Sequence, residues 1–393
     1  MIGVDEAQAR LLALAAPLPS ISLPLVDAVG HYLAKDLIAC RTQPAANVSA
    51  MDGYAIRFVE MPGPWRVMGE SAAGSPFEGA LDVGQAARIF TGAHVPAGAD
   101  CVLIQEEAGC ENGNLLLTGN GPAAMGAHIR RAGGDFTHGD RLLESGVVLN
   151  AGRVAIAAMA GHALLTVGGR PKVTILASGS ELVPPGAPCS AAQIPSSNSV
   201  MLSAMLSGIS CDVINSGIIA DDISALEAAL RSAAEASDVI VTTGGASVGD
   251  HDLVQAALRN DGADIVFWKV AMRPGKPVIV ARLDGAVVLG LPGNPSSAYV
   301  TAFLFLLPLL RHLAGCREPL PRVRTAILKA DLPAGGTRTD YLRARLEDNG
   351  IVPFSKQDSG MLAPLSQADA LLINLANSPA QSAGSAAQYL PLE

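Results

Sequence analysis

Between Arg170 and Gly315, short β-branched runs alternate with helical stretches, and this rhythm constrains the fold more than any other feature of the chain. Strands are expected at 173–177, 213–219, 239–243, 278–281 and 287–289, with helices at 200–206, 224–236 and 253–258 among them. Gly208 is placed to end the first helix, and Ser224-x-x-Glu227 has the form of a capping box for the second. Asn294-Pro295 supplies an N-cap and a first helical residue for the apolar stretch behind it. Elements in this order predict an α/β protein with a central, doubly wound, mostly parallel sheet covered by helices on both faces.

The flanking regions follow other patterns. Helical periodicity at 4–16 and 147–160 brackets a β-rich stretch with short strands at 88–91, 101–105 and 115–118. Short strands return at 323–329, 341–346 and 371–374. The chain is therefore expected to be multidomain. A discontinuous helical N-terminal part (1–40 and 139–170) would carry a β-rich inserted domain (41–138), followed by the α/β domain (171–315) and a small, β-barrel-like C-terminal domain (316–393). A hydrophobic content of 49% against 16% charged residues supplies enough apolar surface for several cores.

Composition narrows the function classes. Lys and Arg number 27 against 36 Asp and Glu, a net charge of −9, and aromatics are 4%; neither suits a nucleic-acid binder. The six cysteines show no C-x-x-C and no His at metal-ligand spacing, so they read as buried thiols in a reducing cytoplasm. The most hydrophobic run, 299–310, is shorter than the roughly 20 residues that span a bilayer and contains Pro308, which predicts a core helix and no membrane partner.

In a doubly wound sheet, ligands bind outside the carboxyl ends of the strands. Those ends collect Glu181 after the first strand, Asp221 and Asp222 after the second, and Asp250 and Asp252 after the Gly244-Gly245 turn. Lys269, Arg273 and Lys276 cluster around Pro274-Gly275, and Pro292-Gly293-Asn294-Pro295 closes the edge. Carboxylates beside cations and glycine turns suit a phosphorylated ligand with a divalent metal. Each element also has a plainer reading: Asp221, Asp222 or Asp250 can cap a helix, and the basic residues can form a solvated edge. Nearer the N-terminus, Asp52-Gly53 reads as a hairpin turn and Phe90-Thr91 as a strand end.

Taken together, five motifs resemble the MoeA family of molybdopterin molybdenumtransferases, which includes the E domain of gephyrin. They are Ser49-Ala50-Met51-Asp52-Gly53-Tyr54-Ala55, Phe90-Thr91-Gly92-Ala93-x-Val95-Pro96, Thr243-Gly244-Gly245-x-Ser247-Val248-Gly249-x-x-Asp252, Pro274-Gly275-Lys276-Pro277 and Leu291-Pro292-Gly293-Asn294-Pro295. The resemblance runs through essentially the whole chain. It implies a homodimer of four-domain subunits that takes adenylylated molybdopterin and molybdate, releases AMP and yields molybdenum cofactor with the help of Mg2+. A molybdopterin adenylyltransferase would be a partner enzyme.

Carried over by motif, the resemblance implies that Asp52, Thr91 and Asp135 line the site from the insertion, facing the sheet domain of the partner subunit. Glu181, Asp221 and Asp252 would form its acidic side, with Glu181 and Asp252 as metal ligands. Gly244, Gly245, Ser247 and Asn294 would line the ligand; Lys269, Arg273 and Lys276 would hold phosphate and attract molybdate. Ser297, Arg343 and Ser366 resemble an oxyanion pocket between the sheet and the C-terminal domain. Three departures stand out: Ser180 replaces an acid of the family's G-D-E-L turn, Arg273 replaces a lysine, and Ala45-Ala46 stands where an aromatic is common. They leave open an altered metal demand, a tungstate preference, or a weak or scaffolding paralogue. The neighbouring activity, molybdopterin adenylylation, is a further alternative on the same sheet fold.

Overall fold

The computed structural model describes residues 1–244, 253–348 and 350–392. Its central sheet has the spatial order Asp212–Ile219, Lys172–Ser178, Val239–Thr243, Ala286–Leu291, Ile279–Leu283, Asp264–Trp268. The first four strands are mutually parallel, whereas Ile279–Leu283 runs against both its neighbours. The reversal has a local cause. Asp284 and Gly285 both adopt positive φ (47° and 94°), the backbone of a two-residue hairpin turn, so the two strands expected at 278–281 and 287–289 form a hairpin.

Alternate residues of the strands feed two cores. Val239 and Val241 point to one face, with helices Val4–Leu12, Ser197–Leu206 and the long segment Pro295–Leu313. Ile240, Ile279 and Val288 point to the other, under helices Ile223–Ala236 and Leu253–Asn260. Val4, Ala7 and Leu11 are buried in the first core, so the N-terminal helix packs on the central sheet although its sequence position groups it with residues 139–170. Three local expectations change. The Ile223–Ala236 helix is capped by Asp222, whose carboxylate accepts the Ala225 N–H, and not by Ser224; Glu227 instead accepts from Asn260. Helix Ser197–Leu206 ends at Ser207 with Gly208 outside the left-handed region. Of the six cysteines, only Cys101 and Cys211 are buried, where loss of solvent pushes their thiols up to about 12 and about 11; Cys316 is half-buried and Cys40, Cys110 and Cys189 are exposed.

Pro295–Leu313 is long and apolar enough to cross a membrane by length and composition, but 83% of its apolar window is buried inside the protein. It continues through Pro308 by means of a π-turn at Ala302–Leu306. Pro308 has no N–H to offer the Leu304 carbonyl four residues back. The side chain of Gln8, 7% exposed, fills the gap: its Nε2 donates to Leu304 O at 2.8 Å. Gln8→Leu is therefore expected to leave a buried carbonyl unpaired and to cost about 1–3 kcal/mol, read as a lower urea midpoint with an unchanged slope. An unchanged midpoint would show that the carbonyl finds another donor.

The inserted region forms a six-stranded sheet of order Cys101–Ile104, Gly53–Ile56, Gln85–Ile89, Trp65–Ser71, Asn114–Leu117, Ala108–Glu111. Its two ends enter side by side, since Leu37–Ile38 pairs with Arg141–Leu143 and Val48–Ser49 with Ile129–Arg130. At the C-terminus, Thr339–Glu347, Ala370–Asn374, Ala386–Pro391 and Arg324–Ile327 form a sheet, and Gly350–Pro353 joins at Thr339–Glu347. A bridge from Leu328 to Ile351 brings the two ends together, which makes the unit barrel-like. Its other edge is Met272–Arg273, contributed by the central unit and paired in parallel with Thr339 and Asp340.

Candidate functional site

A cavity of about 450 Å³ opens at the carboxyl ends of the parallel strands. Its polar lining includes Ser178, Glu181, Asn198, Asp221, Thr243 and Asn294, and Pro195, Pro277, Pro292 and Pro295 stiffen its walls. Asp221 serves as a buckle: its two carboxylate oxygens accept the Ser178 hydroxyl and the Ser180 N–H, the latter at 3.0 Å, and fix the turn that carries Glu181. The Glu181 carboxylate sits over Gly179 and has no hydrogen-bond partner among the described residues. Gly244 adopts φ +89°, and a Cβ there would lie 2.0 Å from the Ser178 carbonyl oxygen, so only glycine lets these neighbouring strand ends meet. Gly245, Ser247, Asp250 and Asp252 lie outside the described residues.

Asn198 was not anticipated. Its Nδ2 donates to Thr243 Oγ1 at 2.7 Å and to the Gly293 carbonyl at 2.8 Å, tying helix Ser197–Leu206 to the end of strand Val239–Thr243 and to the loop after Ala286–Leu291. The signal was the polar cluster Ser196-Ser197-Asn198-Ser199, hidden because the apolar pattern suggested that the helix begins at Val200.

No cation lines the cavity among the described residues. Lys276 precedes a lining residue, Pro277, and its carbonyl accepts the Val270 N–H. Lys269 lies one residue before Val270, and its Nζ stands 3.7 Å from the Trp268 ring centroid. Arg273 is engaged elsewhere: it makes a two-point contact with Asp340, both at 2.8 Å, and so fastens the central unit to the C-terminal barrel. The convergence of acids and bases is thus partial, with the carboxylates inside and the lysines on the adjoining edge.

Arg343 is fully buried. Its Nη2 donates to the Asp358 carbonyl at 3.0 Å, whereas Nε and Nη1 have no partner among the described residues. Burial pulls the guanidinium pKa down from its ordinary value, opposed by the nearby Asp358. Ser297 is also buried, with its carbonyl accepting the Thr301 hydroxyl. Ser366 is exposed and donates its hydroxyl to Ala363 O, whereas Arg343 keeps two nitrogens without a partner among the described residues.

In the insertion, Asp52 and Thr91 do come together. Asp52 Oδ1 accepts the Thr91 N–H at 2.7 Å and its hydroxyl at 2.8 Å. Thr91's N–H and then its hydroxyl hold the Asp52 carboxyl below its ordinary value against an opposing desolvation, with the charge of Arg88 the weakest contribution, so it stays ionised at neutral pH. Asp52-Gly53 is not a hairpin turn, because the strands on either side belong to different sheets. Gly53 is required because a Cβ would fall 2.0 Å from the Leu103 carbonyl oxygen. Arg88, which carried no sequence signal, braces this rim: its guanidinium lies between the rings of Tyr54 and Phe90 (5.1 and 4.9 Å) and donates to Gly53 O and Gln105 Oε1. Asp135 is exposed and makes no side-chain contact with this pair. Among the described residues, no hydrogen bond or ion pair joins Asp52, Thr91 or Asp135 to the sheet domain.

A multidomain α/β protein with its ligand cavity at the carboxyl rim of a doubly wound sheet is the class these features define. Residues 2–161 match the MoeA N-terminal region (domain I and II), 174–312 a probable molybdopterin binding domain, and 325–392 the MoeA C-terminal region (domain IV). The chain belongs to the MoeA family. It is 34% identical over 347 residues to the molybdopterin molybdenumtransferase of Haemophilus influenzae, covering 87% of this chain and 85% of that one. With the molybdopterin molybdenumtransferase of Staphylococcus aureus it shares 31% over 383 residues, covering 95% and 91%. A molybdopterin biosynthesis MoeA protein of Pyrococcus horikoshii superposes with a TM-score of 0.84 at 25% identity over 100% of both chains. A second crystal structure of a MoeA protein from that organism gives 0.83 at 28%, covering 100% of this chain and 99% of that one.

Proposed function

We propose that this protein is the transferase that inserts molybdate into adenylylated molybdopterin, with release of AMP and formation of molybdenum cofactor. The observation that carries the reading is the strand-end cavity, where Asp221 and Gly244 fix the geometry around a Glu181 carboxylate with no competing partner among the described residues. The organic ligand would fill the cavity, with its phosphates towards Lys269 and Lys276. Arg343 would take the oxyanion on its unpaired N–H groups. Catalysis would then rest on positioning and electrostatic stabilisation, with no covalent protein intermediate.

Mg2+ commonly binds through one or two carboxylates plus phosphate oxygens. Glu181 fits as such a ligand, whereas both Asp221 oxygens are already used; no group of three metal-ligating side chains occurs among the described residues. The ion would supply charge neutralisation at the phosphates. Asp52 and Thr91, which do not reach the cavity of their own chain, would be delivered to a partner subunit's cavity in a homodimer. The four-unit division (1–40 with 139–170, 41–138, 171–315 and 316–393), a cytoplasmic setting and docking with a molybdopterin adenylyltransferase belong to the same proposal.

Purified protein given adenylylated molybdopterin and Mg2+ is expected to release AMP only when molybdate is added, and tungstate run in parallel reports metal preference. AMP release without any oxyanion would contradict coupled insertion. ATP-dependent synthesis of the adenylylated ligand would indicate the adenylyltransferase, and tight binding without turnover would indicate a scaffold.

A further inference from the structure

We propose that Asn294 couples the two halves of the site: its amide latches chain segment 358–361 over Arg343, and a ligand in the cavity releases that latch, so that the oxyanion enters second. The inference rests on the reading of Arg343 as the oxyanion residue given above.

Asn294 occupies the N-cap of the Pro295–Thr301 helix, yet its side chain makes no capping bond. An asparagine there normally accepts an N–H of the first turn. Here Nδ2 is turned outward and donates to Ser359 Oγ at 2.9 Å. Two further bonds follow the same path: Ser296 N–H to the Ser359 carbonyl at 3.0 Å, and Ser296 Oγ to the Met361 carbonyl at 2.6 Å. The segment thus fastened also meets Arg343, through the Asp358 carbonyl.

Arg343 is 0% exposed while two of its three nitrogens lack partners among the described residues. An unpaired buried guanidinium is costly, and a tetrahedral dianion would satisfy it, but no ion can reach a fully covered group until the cover moves. The segment that touches it is held to the helix start by few bonds, and Asp358, Gly360 and Met361 face solvent. Asn294 is also a lining residue of the strand-end cavity. A ligand rich in phosphate oxygens competes there for the same amide that holds Ser359. Occupation of the cavity therefore loosens the cover of Arg343, and the order of addition becomes organic ligand before oxyanion.

The test is molybdate binding to the full-length protein, without organic ligand, by calorimetry. Ser359→Ala removes the latch acceptor and leaves Asn294 and Arg343 intact; it is expected to tighten molybdate binding about five-fold, the equivalent of one ordinary hydrogen bond. Affinity equal to or weaker than that of the unaltered protein would overturn the proposal. In parallel, saturating AMP is expected to speed hydrogen exchange at the Ser296 amide about five-fold, and unchanged exchange with AMP demonstrably bound would also overturn it. Arg343→Met separates the two claims. If it abolishes molybdate binding while Ser359→Ala has no effect, the oxyanion assignment stands and the latch falls; if it leaves binding intact, the assignment itself falls.

Discussion

Gly244→Ala is expected to reduce molybdate-dependent AMP release at least ~10²-fold and to cost about 2–3 kcal/mol of stability. The added methyl group would stand 2.0 Å from the Ser178 carbonyl oxygen, and the backbone φ of +89° is one that L side chains rarely adopt. Relief requires the ends of strands Lys172–Ser178 and Val239–Thr243 to part, although they are paired in register up to Ala177 and Thr243. Ser178 is one of the two groups that hold Asp221, so a displacement there passes directly to the turn bearing Glu181. A shift of about an ångström at a positioning site is sufficient for a loss of this size. Thermal unfolding and an AMP assay on the same preparation would check both parts, and turnover like that of the unaltered protein would mean that the rim does not position the reactants.

Local rules made much of this structure legible, and their reach explains where they stopped. Alternation of β-branched residues exposed the central sheet because its inner strands Lys172–Ser178, Val239–Thr243 and Ala286–Leu291 are buried on both faces, and Asn294-Pro295 marked a helix start because its backbone chemistry is local. The hairpin at Asp284-Gly285 and the ladder ends at Asp52-Gly53 show the limit: the same dipeptide makes a turn in one place and a close approach to Leu103 in the other. Only the partner strand decides between them. Arg88, Asn198 and the Arg273–Asp340 contact are tertiary arrangements between residues distant in sequence, and nothing in their neighbours' spacing announces them. Asp221 lines the cavity yet has a structural task there. Its two oxygens are used within the fold, which leaves Glu181, among the described residues of the cavity, as the carboxylate open to a ligand.

The second large effect concerns ownership of the site. Asp52→Asn and Glu181→Gln are each expected to lower AMP release about 10²-fold or more when made separately. Glu181 is exposed and Asp52 half-buried, and both substitutions are nearly isosteric, so folding is expected to persist. If the Asp52–Thr91 pair serves the cavity of the other subunit, co-expression of the two variants changes the outcome. Random pairing makes half the dimers mixed, and each mixed dimer contains one site with neither substitution, so about a quarter of full activity should return. If both residues serve the cavity of their own chain, every site in the mixture carries a defect and nothing returns. The absence of any described bond between Asp52 or Thr91 and the sheet domain favours the first outcome. Different affinity tags on the two variants supply the control: mixed dimers captured through both tags but without recovered activity would refute a shared site, and sedimentation as a monomer would refute the dimer on which it depends.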